Sequence, residues 1–364
     1  MESLFVVSTE SYSGKTALIA GLMTHLREEG RAPGYMKPVS GSPRTIGSEL
    51  LDLDARFVRS AFELEPALET LVPVQLTDSV LDQALQRCPE DCAEDALLAR
   101  ISDAYEGLLQ QHAFLLLEGA GDLAEGALLS LSAARIAESL DLPVLVVTRY
   151  QGRLTGDGLL HAARVLGDRM VGGVVNAVPE RHLGLFNERV IPLLEARGVP
   201  VMGVIPRRRL LGGATVQELA QQIGGQFLVG EEEENMLVET LCIGAMGIDD
   251  VLAHFRRKRN KAVIVGGART NIQLAALETS TRCLILTGNL RPKTAILTRA
   301  EERGVPVILS ELSTVETVEV INRYFGRTRF HQEEKLASFL EALERTFDFA
   351  RLSDELGWSE RGAG

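Results

Sequence analysis

Cysteine is scarce in this chain of 364 residues: Cys88, Cys92, Cys242 and Cys283 are all there are. Cys88 and Cys92 would make half of a zinc site, but no second Cys or His pair follows at the spacing a tetrahedral centre needs. The stretch around Pro89 therefore reads as a loop. Basic charge is also short, 38 Lys and Arg against 50 Asp and Glu, for a formal net charge of -12. That balance argues against a nucleic-acid partner. No apolar run approaches the roughly 18 residues that span a bilayer. Met1 is followed by a strand pattern rather than by a basic segment and an apolar core, so neither a membrane nor export is expected, and the expected compartment is the cytoplasm. Aromatics are few (5%) beside 34 glycines, a combination that suits an α/β fold with many strand-to-helix turns.

The length exceeds what one hydrophobic core usually serves, so two domains are expected. LFVVS (4–8), GYMKPV (34–39), FLLLEGAG (114–121), PVLVVTRY (143–150), MVGGVVNAV (170–178) and VPVMGVIP (199–206) are mostly short apolar runs without polar alternation. Strands of that kind are covered by helices on both faces. The spacing in KTALIAGLMTHLREEG (15–30) predicts a helix. The run Glu231 to Glu234 repels itself and predicts a solvated linker. After it the alternation restarts at LCIGAM (241–246), KAVIVGG (261–267), RCLILTG (282–288) and VPVILS (305–310). The expected fold class is therefore α/β, a doubly wound, mostly parallel P-loop sheet followed by a second, smaller α/β domain. Its bounds are 1–228 for the first domain, 229–238 for the linker, 239–345 for the second domain and 346–364 for a tail frayed from Ser359 to Gly364. RRKR at 256–259 ends a helix, where cations complement the dipole.

The strongest chemical signal is STESYSGKT (8–16), set between the first strand and the first helix. A phosphate-binding loop needs backbone N–H groups at a helix N-terminus, a lysine for the terminal phosphates and a hydroxyl for magnesium. Gly14, Lys15 and Thr16 supply these in order. The first glycine of the usual motif is replaced by Thr9. Glu118 follows four apolar residues and precedes Gly119 and Gly121, which predicts a carboxylate facing the crevice at a strand end. Its burial would be costly without a cation, and Mg²⁺ is the expected partner.

These segments resemble dethiobiotin synthetases. Their P-loop is one residue longer than usual and holds an acidic residue, here Glu10. GYMKPVSGS (34–42) resembles their second-strand motif, and LLLEGAGDL (115–123) their strand ending in Glu-Gly-Ala-Gly. The resemblance implies ATP and Mg²⁺ as cofactors, with Thr9, Glu10, Ser13, Gly14, Lys15, Thr16 and Asn176 at the nucleotide and Asn176 at the adenine. It also implies Lys15 and Lys37 as the catalytic lysines and Thr16, Asp54 and Glu118 as metal ligands, with Asp52 competing for the role of Asp54.

IGAMGIDDVLAHF (243–255), GGARTNIQLAALE (266–278), CLILTGNLRP (283–292) and GVPVILSELSTVETVEVI (304–321) resemble the DRTGG domain. The two halves together, over about residues 1–345, resemble the N-terminal region of long-form phosphotransacetylases, without the acetyltransferase catalytic domain. Ala268 stands where that family has Asp before Arg269, and Asn289 replaces a glycine. The resemblance implies a regulatory Mg·ATP module of acetyl- or acyl-phosphate metabolism, coupled to a ligand-sensing domain that takes a small-molecule effector. The alternative is an ATP-dependent ligase of the dethiobiotin-synthetase or cobyrinate-amidase type. A homodimer is expected, and if the second domain only docks, the apolar face of Leu336, Phe339, Leu340 and Leu343 is the expected contact.

Overall fold

In the computed structural model, which describes residues 3–46, 49–86, 93–244, 248–325, 330 and 332–358, the apolar runs become strands. The first unit contains β1 (Ser3–Ser8), α1 (Lys15–Glu28), β2 (Pro33–Met36), α2 (Leu53–Ala61), α3 (Ala93–Leu109), β3 (Phe114–Glu118), α4 (Ala133–Ser139), β4 (Val144–Arg149), α5 (Gly156–Leu166), β5 (Met170–Val178) and β6 (Val201–Pro206). Six strands make one sheet in the order β6-β5-β4-β1-β3-β2, and every neighbouring pair is parallel. All residues of β1, β2 and β3 are buried, as strands covered on both faces should be. The chain runs from β1 out to the edge at β2, returns to β3, and then crosses β1 to reach β4. β1 is thus the point where the winding reverses, and the loops at the carboxyl ends there form the crevice such sheets use for ligands.

The second unit, Arg208–Thr328, contains α6 (Val216–Gln222), β7 (Gln226–Val229), β8 (Thr240–Ile243), α7 (Ile248–Arg256), β9 (Lys261–Gly266), α8 (Thr270–Leu277), β10 (Thr281–Thr287), α9 (Thr294–Glu302), β11 (Val307–Leu309) and α10 (Thr314–Tyr324). Its sheet order is β7-β11-β10-β9-β8, parallel except for β7, which runs antiparallel to β11. One core packs Val251, Phe255, Ile272 and Ile296 beneath the sheet. Another packs Val216, Leu219 and Ile321 on its other face.

The division between units falls earlier than the glutamate run predicts. The first stretch of the first unit ends at Arg207, and the segment expected as a linker lies inside the second unit. Glu231–Glu233 form a single 3₁₀ turn, the Gln217 N–H donates to the Glu234 carbonyl at 2.8 Å, and Leu237–Val238 pair antiparallel with Ala214–Thr215. The glutamates stay in solvent while the apolar residues flanking them find partners, so a charged run marks a turn rather than a break. The end of the chain departs from expectation as well. After β11 and α10 come α11 (Glu333–Thr346) and α12 (Phe349–Glu355), and both belong to the first unit. Phe339 and Leu343 seat on α1 at Gly21, Phe347 bridges to Gly203 of β6, and the Trp358 ring meets Phe114 edge-on at 4.1 Å. Phe339 and Leu343 of the face expected to dock are thus consumed within their own unit, while Leu336 and Leu340 are half-buried, and residues 346–358 are packed rather than a tail. Cys88, Cys92 and Ser359–Gly364 lie outside the described residues. Among the described residues no helix is long and apolar enough to cross a membrane.

Candidate functional site

The loop after β1 turns sharply at Gly14, which caps α1 in the left-handed region at φ 104. A side chain there would also overlap the Asn176 carboxamide, so this position needs glycine for both conformation and space. Asn176 Nδ2 donates to the Ser13 carbonyl at 2.7 Å, and Asn176 Oδ1 accepts the Ala177 N–H at 2.7 Å. The parallel register sets Asn176 beside Arg149, and it braces the loop from the side of β5. The Thr9 and Thr148 hydroxyls meet at 2.9 Å. The Glu10 carboxylate accepts from the Thr9 hydroxyl and from the Arg149 N–H. Both residues therefore pin the loop to the end of β4. The Ser13 hydroxyl is buried without a partner, an orphaned donor inside the loop that a bound anion would satisfy.

Lys15 opens α1 and folds back over the crevice, donating to Ser8 Oγ at 2.7 Å and to the Gly121 carbonyl at 2.9 Å. Burial pushes its pKa down to about 8, against the pull of Glu118, and the nearby Lys37 charge adds to the fall. One turn of register away, Val6 pairs with Glu118, which brings the last residue of β3 beneath the loop. Thr16 Oγ1 donates to Glu118 Oε1 at 2.7 Å, and the Tyr35 hydroxyl donates to Oε2 at 2.9 Å. Burial raises the Glu118 carboxyl above its ordinary value, opposed by Lys37. Burial, then Glu118, raise the Tyr35 hydroxyl well above its own.

Lys37 sits just past β2. Burial works against its ammonium, but Asp54, Glu118 and Asp52 outweigh burial and hold it charged. Its Nζ lies 2.9 Å from Asp52 Oδ2 and 3.1 Å from Asp54 Oδ2. The two aspartates do different work. Asp52 is buried, caps α2 through the Asp54 and Ala55 N–H groups, and accepts from Ser40 Oγ at 2.6 Å. Asp54 is the more exposed of the two, with 26% of its side chain open to solvent. The structure thus brings Lys15, Thr16, Lys37, Glu118 and Asp54 into one crevice, with Gly14, Ser13 and Asn176 shaping its rim. Tyr35, Ser8 and Gly121 join them without having been expected, because a strand tyrosine or a loop glycine carries no motif of its own, while Asp52, weighed against Asp54 in the sequence, sits there as the cap of α2.

The donors suit a hard cation. Thr16, Glu118 and Asp54 offer oxygen only, and among the described residues the buried Glu118 carboxylate has two hydroxyl donors but no cation in hydrogen-bond contact. Among the described residues no group of three or more His, Cys, Asp or Glu side chains could hold a metal ion. Such a site must complete its shell from water and phosphate, the habit of Mg²⁺.

A family model described as an AAA domain matches residues 2–215, and one described as a DRTGG domain matches residues 218–324. The phosphate acetyltransferase of Nitratidesulfovibrio vulgaris is 26% identical over 373 residues, covering 97% of this chain and 51% of its own length. An ATP-dependent dethiobiotin synthetase of Pseudomonas aeruginosa is 29% identical over 210 residues, covering 57% of this chain and 90% of its own. The chain thus spans about half the length of the phosphate acetyltransferases it matches. Among solved structures, the MinC:MinD cell division protein complex of Aquifex aeolicus is similar at a TM-score of 0.35 and 15% identity, over 58% of this chain and 84% of that one.

Proposed function

We propose that this chain, which belongs to the AAA domain family over residues 2–215 and carries a DRTGG domain after it, is a Mg·ATP-dependent switch coupled to a ligand-sensing second domain. The observation that carries the reading is the Thr16–Glu118 pair beneath a lysine-bearing loop at the winding reversal of the sheet. Gly14 lets the backbone approach the phosphates, and the Lys15 ammonium meets their terminal oxygens once it leaves Ser8 and Gly121. Thr16, Glu118 and Asp54 would hold Mg²⁺, which when bound neutralises phosphate charge. Lys37, kept charged by its aspartates, is aimed from the β2 side as a second cation. Thr9, Glu10, Ser13 and Asn176 fix the shape of the loop, with Asn176 at the base end of the nucleotide. A preorganised set of cations at a phosphate chain does electrostatic work alone, which serves a switch as well as it serves phosphoryl transfer.

The match to phosphate acetyltransferases over almost the whole chain supports a role in acetyl- or acyl-phosphate metabolism. An ATP-dependent synthetase is the second reading, favoured by the match to a dethiobiotin synthetase over nine-tenths of that enzyme. Titrating the full chain with Mg·ATP against a panel of central metabolites separates the two. The switch requires one metabolite to shift ATP affinity, and ATP to shift the affinity of that metabolite by the same factor. ADP release in step with consumption of an acceptor would select the synthetase instead, and no shift with any metabolite would remove the switch.

A further inference from the structure

Glu125 is a carboxylate at the crevice for which the reading above has no role. After β3 the chain turns tightly, with Asp122 Oδ1 accepting the N–H groups of Ala124 at 2.8 Å and Glu125 at 3.0 Å. That turn sends the Glu125 side chain back toward the P-loop, where Oε2 accepts the Gly121 N–H. The carbonyl of the same glycine accepts from Lys15 Nζ. One residue thus holds the ammonium by its carbonyl and the carboxylate by its amide. The other oxygen, Oε1, reaches the loop after β2 so closely that a Cβ on Gly41 would overlap it. Ser11 Oγ of the P-loop approaches the same side of Gly121, 2.8 Å from where a Cβ there would stand. Glu125 therefore bears on the loops after β2 and β3 at once, together with Pro38, Val39 and Gly119 around a small cleft.

A backbone N–H at a strand's carboxyl end, next to the P-loop lysine, is a donor suited to a phosphate oxygen. Here a carboxylate takes it. Two anions compete for one N–H, and in a partly buried crevice their mutual repulsion is several times stronger than in water. We propose that Glu125 sets the discrimination between nucleotides with and without a terminal phosphate: its carboxylate takes the Gly121 donor beside Lys15 that a γ-phosphate would use, and must swing out when one arrives. A nucleoside diphosphate, ending at the loop itself, meets no such rival. The proposal rests on the reading of the crevice as a Mg·ATP site.

The test is titration calorimetry of the full chain with Mg·ATP and Mg·ADP, using wild type, Glu125→Ala, Gly41→Ala and the double variant. Glu125→Ala should tighten ATP by about tenfold or more and leave ADP within about twofold. Gly41→Ala, which fits only if the carboxylate moves aside, should shift ATP in the same direction. In the double variant the Gly41 change should add nothing, since the two act through one contact. An unchanged ratio of ATP to ADP affinity in Glu125→Ala, or weaker ATP binding, overturns the proposal. Lys15→Ala keeps the two layers apart. If it abolishes binding of both nucleotides while the ratio in Glu125→Ala stays flat, only the role of Glu125 falls. If neither wild type nor Glu125→Ala binds either nucleotide, the crevice reading falls with it.

Discussion

At the carboxyl ends of β1, β2 and β3 the first unit gathers Lys15, Lys37, Asp54 and Glu118, whereas in the second unit the described polar groups after β9 and β10 bond to nearby backbone or to one another. There Arg269 Nη1 donates to the Gly244 carbonyl at 2.5 Å, Gln273 Nε2 donates to the Gly266 and Gly267 carbonyls at 3.1 and 2.9 Å, and Thr287 meets Thr314 at 2.7 Å. The turn after β9, Gly267-Ala268-Arg269, holds no carboxylate to match Glu118. The same layer architecture thus yields a charged crevice in one unit and a largely self-satisfied one in the other. The fold supplies equivalent strand ends in both units, while the charges gathered at those ends set the first apart.

The comparison breaks most visibly if Lys37 is removed. Lys37→Met strands Asp52 and Glu118 as buried carboxylates, and losing one member of such a buried cluster costs about 3–5 kcal/mol. The whole loss should fall on the unfolding transition of the first unit, read as a shift in urea midpoint, with the second unit unmoved. Leu343→Ala should cost about 2–5 kcal/mol through the cavity it leaves against α1. It too should weaken the first unit only, which a loss shared with the second unit would contradict.

A pH titration sharpens the contrast through Lys15, whose pKa is pushed down to about 8 from 10.5. Between those values the unfolded chain binds more protons than the folded one, so the stability contributed at this site rises with pH across that window. Nucleotide affinity runs the other way, because the ammonium is lost above about 8; it should fall by up to about tenfold per pH unit there. Lys15→Arg, which does not titrate in this range, should flatten the profile. Smallest is Asn289→Gly in the second unit. Asn289 sits at φ 55, a left-handed position that asparagine tolerates in place of glycine, so the exchange should move stability by less than about 1 kcal/mol.

Much of the first unit was legible in the sequence because its signals are local. Continuous apolar runs marked all six strands of the main sheet, and the GKT at a strand-helix junction located the loop. Glu118 was legible as well, since a carboxylate between an apolar run and two glycines has few other places to go. What escaped depends on contacts distant in sequence. Tyr35 looks like any strand aromatic until the register of β2 with β3 sets it against Glu118. Asp52 and Asp54 could not be separated until the start of α2 was known, because only the cap distinguishes them. The glutamate run suggested a boundary that Gln217 and the Ala214–Thr215 strand, more than ten residues upstream, abolish. The apolar stripe of α11 is visible in the sequence, but its partner α1 lies some 320 residues earlier.

Binding of Mg·ATP to the full chain, compared by titration calorimetry between wild type, Lys15→Ala and Glu118→Gln, bears most directly on the central claim that the charged crevice of the first unit is a Mg·ATP site. The account predicts saturable binding in wild type and its loss in Lys15→Ala with the far-UV spectrum unchanged. It predicts for Glu118→Gln a loss of most of the magnesium-dependent part of the affinity, since one charge is deleted at constant size. Wild-type affinity in Lys15→Ala, or an undiminished magnesium dependence in Glu118→Gln, would contradict it.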